Sequence, residues 1–165
     1  MILPEDFSPV QRGEMATAFF LKGYNCCQSV MLAFLDVLEA NGYANEALLS
    51  TIASGFGGGM ARMREVCGSF SGMVMMAGFI SPADDPSIKS ARTENYALVQ
   101  EFAEEFKKRN GGSIVCRELL GLKKEGPQEN PEPSDRTAEY YKKRPCGKII
   151  GNAATIIAER LIRES

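Results

Sequence analysis

Five cysteines, Cys26, Cys27, Cys67, Cys116 and Cys146, are the residues best suited to chemistry in this chain. A thiolate can ligate a metal, attack a disulfide or pass through a redox cycle. Their number is odd, so one chain cannot pair them all internally. No Cys-x-x-Cys pair occurs, which removes the thioredoxin-type motif and the zinc-ribbon spacing. Histidine is absent. That excludes Ser-His-Asp and Cys-His catalysis, His-ligated haem and every Cys/His zinc site. Thiolates and carboxylates remain as metal ligands.

Helices must position these thiols. Ser8 and Pro9 read as a helix start, with the helix running over 11–21 and ending at Gly23. Asn25 caps a second helix over 26–40, on which Cys27, Val30, Met31, Phe34 and Leu38 form one apolar stripe. A short helix over 45–54 precedes the glycine run 55–59, the strongest break in the chain. A helix from 65 or 66 to 79 is apolar nearly all round and is expected to be central and buried. A charged surface helix covers 87–110, and Ser113 caps a short one to 120. The segment 122–136 has three prolines and many charges, and reads as a long exposed loop. One or two turns follow over 137–143. Pro145 opens a last helix to about 163, with Ile149, Ile150, Ala153, Ala154, Ile157 and Leu161 facing inward. No strand run, repeat or second domain is found. The expected architecture is a single all-α domain over 1–165, a compact bundle.

On this reading each cysteine stands in the first turn of a helix. A helix start offers free N–H groups and the positive end of the dipole. Both favour thiolate over thiol. Four helices could bring four such termini to one site, and N–H groups aimed at sulfur would tune an anionic cluster there. The competing reading is plain packing, since free cysteine is among the most buried residue types. Gly57, Gly58 and Gly59 lack the dinucleotide fingerprint and no Gly-Lys-Ser/Thr follows, so no nucleotide is expected. Close approach of the main chain to a neighbour or a cluster is the better account of them. Met73, Met75 and Met76 read as core. Arg62 and Arg64 could support the Cys67 thiolate or be solvated loop charges.

Composition narrows the class further. The chain has 165 residues, 44% hydrophobic and 24% charged, with 19 basic and 21 acidic side chains. It can bury a core, and it carries no basic footprint for nucleic acid or a membrane surface. The first ten residues have acids and prolines where a secretory leader would be basic and then apolar. The longest strongly apolar stretch, 72–80, is far short of the ~20 residues that cross a bilayer. A soluble cytoplasmic protein is expected, where cysteines stay reduced.

The stretch Gly23-Tyr24-Asn25-Cys26-Cys27-Gln28-Ser29-Val30 resembles the G-[FY]-N-C-A-Q-[AS]-V opening of the C_GCAxxG_C_C family. Gly55-Phe56-Gly57-Gly58-Gly59-Met60, leading to Glu65-Val66-Cys67-Gly68, is similar to that family's glycine run and CGAxxG motif. A later single cysteine and one opening a C-terminal helix match Cys116 and Cys146. Two departures stand out. Cys27 replaces alanine, and is either inert or a resolving thiol beside Cys26. Ser69 replaces the motif's alanine and adds a hydroxyl. The resemblance implies a redox role, with Cys26, Cys67, Cys116 and Cys146 holding an iron–sulfur cluster or another metal. Gly57, Gly58, Gly59 and Gly68 would shape the pocket, and an unidentified redox protein would be the partner, with a homo-oligomer allowed. The rivals are a metal-free thiol–disulfide enzyme or redox sensor, a structural four-cysteine zinc site placed behind the cluster, and a helical interaction module with packed cysteines.

Overall fold

The computed structural model describes residues 1–123 and 129–164. The described residues form nine α-helices and one turn of 3-10 helix, and no strand among them. In chain order the helices are α1 (Pro9–Leu21), α2 (Cys26–Leu32), α3 (Leu35–Ala40), α4 (Glu46–Ile52), α5 (Gly68–Ile80), α6 (Lys89–Arg109), α7 (Cys116–Leu119), α8 (Ala138–Lys143) and α9 (Cys146–Glu164). The fold is all-α. No helix among the described residues is long and apolar enough to cross a membrane.

The amphipathic α9 is the hub, packing on α1, α2, α5 and α6. Its inward residues Ile149, Ile150, Ala153, Ala154, Ile157 and Leu161 are all buried. Phe20, Phe34, Phe102 and Phe106 fill the space around it, each nearly or wholly inaccessible. Phe70 at the start of α5 meets Phe106 with ring centroids 5.6 Å apart.

Three expectations need correction. The helix expected over 26–40 is two helices, broken at Ala33 and Phe34. The cause is Arg12, a buried cation on α1 whose guanidinium donates to the Ala33 carbonyl at 2.7 Å and grips Asp36 with two bonds. The bonded carbonyl is satisfied without a helical partner, so the chain can turn there. Secondly, α5 starts at Gly68, two or three residues later than expected, because 64–67 pairs with 114–117. Thirdly, α5 is buried all round only over 68–73; beyond that Met76 and Ala77 are buried while Val74 and Gly78 are exposed. Of the expected loop 122–136, residues 124–128 lie outside the described residues. Residues 129–136 carry neither helix nor strand and form a mostly exposed strap beside the cysteines.

Candidate functional site

Each of the four widely separated cysteines stands at a helix start. Cys26, Cys116 and Cys146 are the first residues of α2, α7 and α9, and Cys67 is the N-cap of α5. All four line a single cavity of about 640 Å³. Gly57, Gly58, Gly59 and Gly68 line it too. All five thiols are free.

Local sequence accounts for each position. Asn25 forms a capping box with Gln28, each side chain bonding the other's backbone N–H. Its Nδ2 also donates to the Ala53 and Ser54 carbonyls at 3.1 and 2.9 Å. One residue thus starts α2 at Cys26 and pins the approach to the glycine run. Cys67 and Cys116 are joined by an isolated antiparallel bridge between Val66 and Val115. The Cys67 N–H donates to Ile114 O at 2.8 Å, and the Cys116 N–H to Glu65 O at 2.6 Å. Periodicity does not reveal a one-pair bridge, and two valines are its only trace in the sequence.

The glycine run does more than break a helix. Gly58, Gly59, Met60, Ala61 and Arg62 all have positive φ, between 48° and 70°, and so does Arg64 at 61°. This is a left-handed turn, which costs an L-residue with a side chain roughly 1–2 kcal/mol at each position. It is held by long-reach backbone bonds, from Ala61 N–H to Gly55 O at 2.8 Å and from Glu65 N–H to Gly59 O at 3.0 Å. Such strain concentrates at functional sites. Relieving it at exposed Ala61 by Ala61→Gly should raise stability by about 0.5–1 kcal/mol, net of the entropy glycine loses on folding. A thermal melt checks this, with a midpoint expected roughly 2 °C higher.

Gly59 and Gly68 are among the glycines required by space. A Cβ on Gly59 would lie 2.6 Å from the Cys116 Cβ and 2.8 Å from the Glu65 nitrogen. A Cβ on Gly68 would lie 2.7 Å from the Phe56 oxygen and 3.1 Å from the Cys26 Cβ. The glycines therefore let two of the cysteine-bearing segments close on the others.

The thiols differ in electrostatics. Cys26 and Cys146 share a hydrogen bond, which holds the Cys26 thiol well above its ordinary value. The same bond lowers Cys146 to about 7, helped against burial by the charges of Arg144, Arg64 and Arg136. The first proton lost belongs to the pair, and the negative charge rests on the sulfur facing the arginines. Burial pushes Cys67 up to about 11, although the N–H groups of Ser69 and Phe70 and the Ser69 hydroxyl pull the other way. Burial also raises Cys116, opposed by Arg64. Cys27 is the outlier. Its side chain is wholly buried away from the cavity, its sulfur sits 3.7 Å from the Met75 sulfur, and burial pushes it up to about 12.

Arg64 contacts the Cys116 sulfur at 4.0 Å, where the sequence had suggested Cys67. It is buried and bonds Glu129 of the strap through two nitrogens, at 2.7 and 2.5 Å. Arg62 joins it, donating to the Asn130 carbonyl at 2.9 Å and pairing with Glu129 at 3.1 Å. The strained turn and the strap are thus clamped together over the cysteines. The Arg64 hydrogen bond holds the Glu129 carboxyl below the usual glutamate range. A depressed acid contributes stability above its unfolded pKa and loses it as pH falls through the folded one. The strap is therefore expected to loosen only below about pH 4. Proteolysis within 129–136 across a pH series, with an acid-active protease, checks this.

A profile of the family described as "Putative redox-active protein (C_GCAxxG_C_C)" matches residues 24–160. The chain belongs to this family. No curated protein and no solved structure matches it. In this C_GCAxxG_C_C protein the sequence already pointed to the four cysteines and four glycines that meet at the cavity. It missed Arg136, Tyr140 and Arg144, which also line it. Arg144, two residues before Cys146, was the available signal.

Among the described residues no three cysteines or carboxylates converge closely enough to hold one metal ion. A single zinc would draw four sulfurs to about 2.3 Å from one point. The donor set here is four thiols spread around a cavity, backed by helix N–H groups and arginines. That set fits a larger anionic group better than a single ion.

Proposed function

We propose that the cavity is a one-electron redox centre in which Cys26, Cys67, Cys116 and Cys146 ligate an iron–sulfur cluster. The observation that carries this reading is that four thiols, each opening or capping a different helix, line one cavity. When bound, such a cluster accepts and releases single electrons at a potential set by its surroundings. The chain supplies the rest. N–H groups at the start of α5 point at the Cys67 sulfur, and Arg64 lies against the Cys116 sulfur. Both would stabilise thiolates that burial alone disfavours. Gly59 and Gly68 leave room for the ligand-bearing segments, and the clamped strap covers the centre from the side. Reconstitution with iron and sulfide without oxygen tests the reading. Bound iron and acid-labile sulfide with visible absorbance support it, and their absence removes it.

One observation favours a second reading. Cys26 and Cys146 are hydrogen-bonded, with the negative charge drawn to Cys146. The pair could form a disulfide, giving two electrons and two protons to an acceptor. No such bond joins Cys26 to Cys67. Mass mapping of the oxidised, metal-free protein decides, since this reading requires a Cys26–Cys146 link.

A further inference from the structure

Two arginines at the cavity have no carboxylate ion pair among the described residues. Arg136 and Arg144 both place their guanidinium groups over the Tyr140 ring, at 4.8 and 4.6 Å from its centre. Arg136 also lies over Phe20 at 4.8 Å. Both guanidinium groups stand within 5 Å of one ring centre, so an anion bound beside that ring would meet two positive charges. Arg136 makes one long bond, 3.5 Å, to the Tyr24 carbonyl. The other two arginines of the lining are engaged, Arg62 and Arg64 both with Glu129.

Further features of the same cavity point to a ligand. The Ser69 side chain lines it, and its buried hydroxyl meets only the Cys67 sulfur, which it favours as thiolate, with its accepting lone pairs unfilled. A bound polar molecule would complete the hydrogen bonding of that oxygen. Space is also ample. At about 640 Å³ the cavity is in the range of small-molecule sites.

We propose that the part of the cavity lined by Arg136, Tyr140 and Arg144 binds a small molecule carrying two anionic groups. Guanidinium forks recognise carboxylates and phosphates with paired bonds, and the ring fixes both forks in place. The ligand would sit beside Cys146, which makes it the substrate or effector of the redox centre. In that respect the inference rests on the proposed redox function, although the binding itself does not need the cluster.

Isothermal titration of the metal-free protein at low salt tests it, with succinate and pyrophosphate as separate probes. Saturable one-to-one binding of either supports the site, and the stronger probe tells carboxylate from phosphate chemistry. Arg144→Gln should weaken that binding about tenfold or more, as should Arg136→Gln. Arg109→Gln, on the outer face of α6 and paired with Glu159, should leave it unchanged. No binding of either probe, or equal binding by Arg144→Gln and the parent, overturns the proposal. Iron and sulfide content after reconstitution of Arg144→Gln keeps the two ideas apart. An unchanged content with no anion binding by the parent sinks this inference alone. A large loss of content with no anion binding by the parent means the arginines serve the cluster's own charge, which also overturns it.

Discussion

Gly59→Ala is expected to be the most damaging small substitution in the chain, costing roughly 2–5 kcal/mol. Two independent penalties add. Its φ of 70° strains any side chain, by about 1–2 kcal/mol. Its new Cβ would also press to 2.6 Å from the Cys116 Cβ and 3.0 Å from the Arg64 carbonyl carbon. Neither neighbour is the end of a flexible side chain, so the backbone itself must shift, at about 1–3 kcal/mol. The shift would separate α7 from the left-handed turn and move Cys116. The thermal midpoint should fall by roughly 4–15 °C, with a parallel loss of iron binding. Gly55→Ala is the control. Position 55 has open space and no positive φ, so its melt should stay close to the parent's.

Arg64→Met should cost about 3 kcal/mol, at the low end for breaking a buried ion pair. The guanidinium is 3% exposed and its partner Glu129 is 27% exposed. Water reaches the carboxylate, which keeps the cost from rising further. The unfolding midpoint should drop by roughly 6–12 °C. The variant should also release the strap near neutral pH, where the parent needs acid. Cleavage within 129–136 at pH 7 measures that second effect. An intact strap in Arg64→Met would show that Arg62 and the strap's own contacts suffice.

These two residues also mark the limit of what the sequence discloses. The helices were legible because apolar stripes such as Ile149, Ile150, Ala153 and Ala154 repeat at helical spacing, and because Asn25 and Pro145 announce starts. The four cysteines at helix starts followed from the same signals. The break at Ala33 was not legible, since it depends on Arg12 reaching across from another helix. Nor was the left-handed turn, because Met60, Ala61 and Arg62 give no local hint that they will follow two glycines into positive φ. The partners of Arg64 were hidden for a simpler reason. Glu129 lies 65 residues further along, and pairing over that distance leaves no periodic trace.

Cys27 and Ser69 show the same contrast. Adjacent positions 26 and 27 look interchangeable in sequence, but a helix turns neighbouring side chains about 100° apart. Cys26 therefore faces the cavity and Cys27 the core. Ser69 looked like a minor exchange for alanine, and proves to be a buried hydroxyl that favours the Cys67 thiolate.

The most direct measurement is iron and sulfide retained by each of the five single Cys→Ser variants after anaerobic reconstitution. The four-cysteine centre predicts that Cys26→Ser, Cys67→Ser, Cys116→Ser and Cys146→Ser each lose most of it. Cys27→Ser should keep the parent's content, with only a packing cost to its stability. Equal retention by all five variants, or none by the parent, would contradict the centre proposed here.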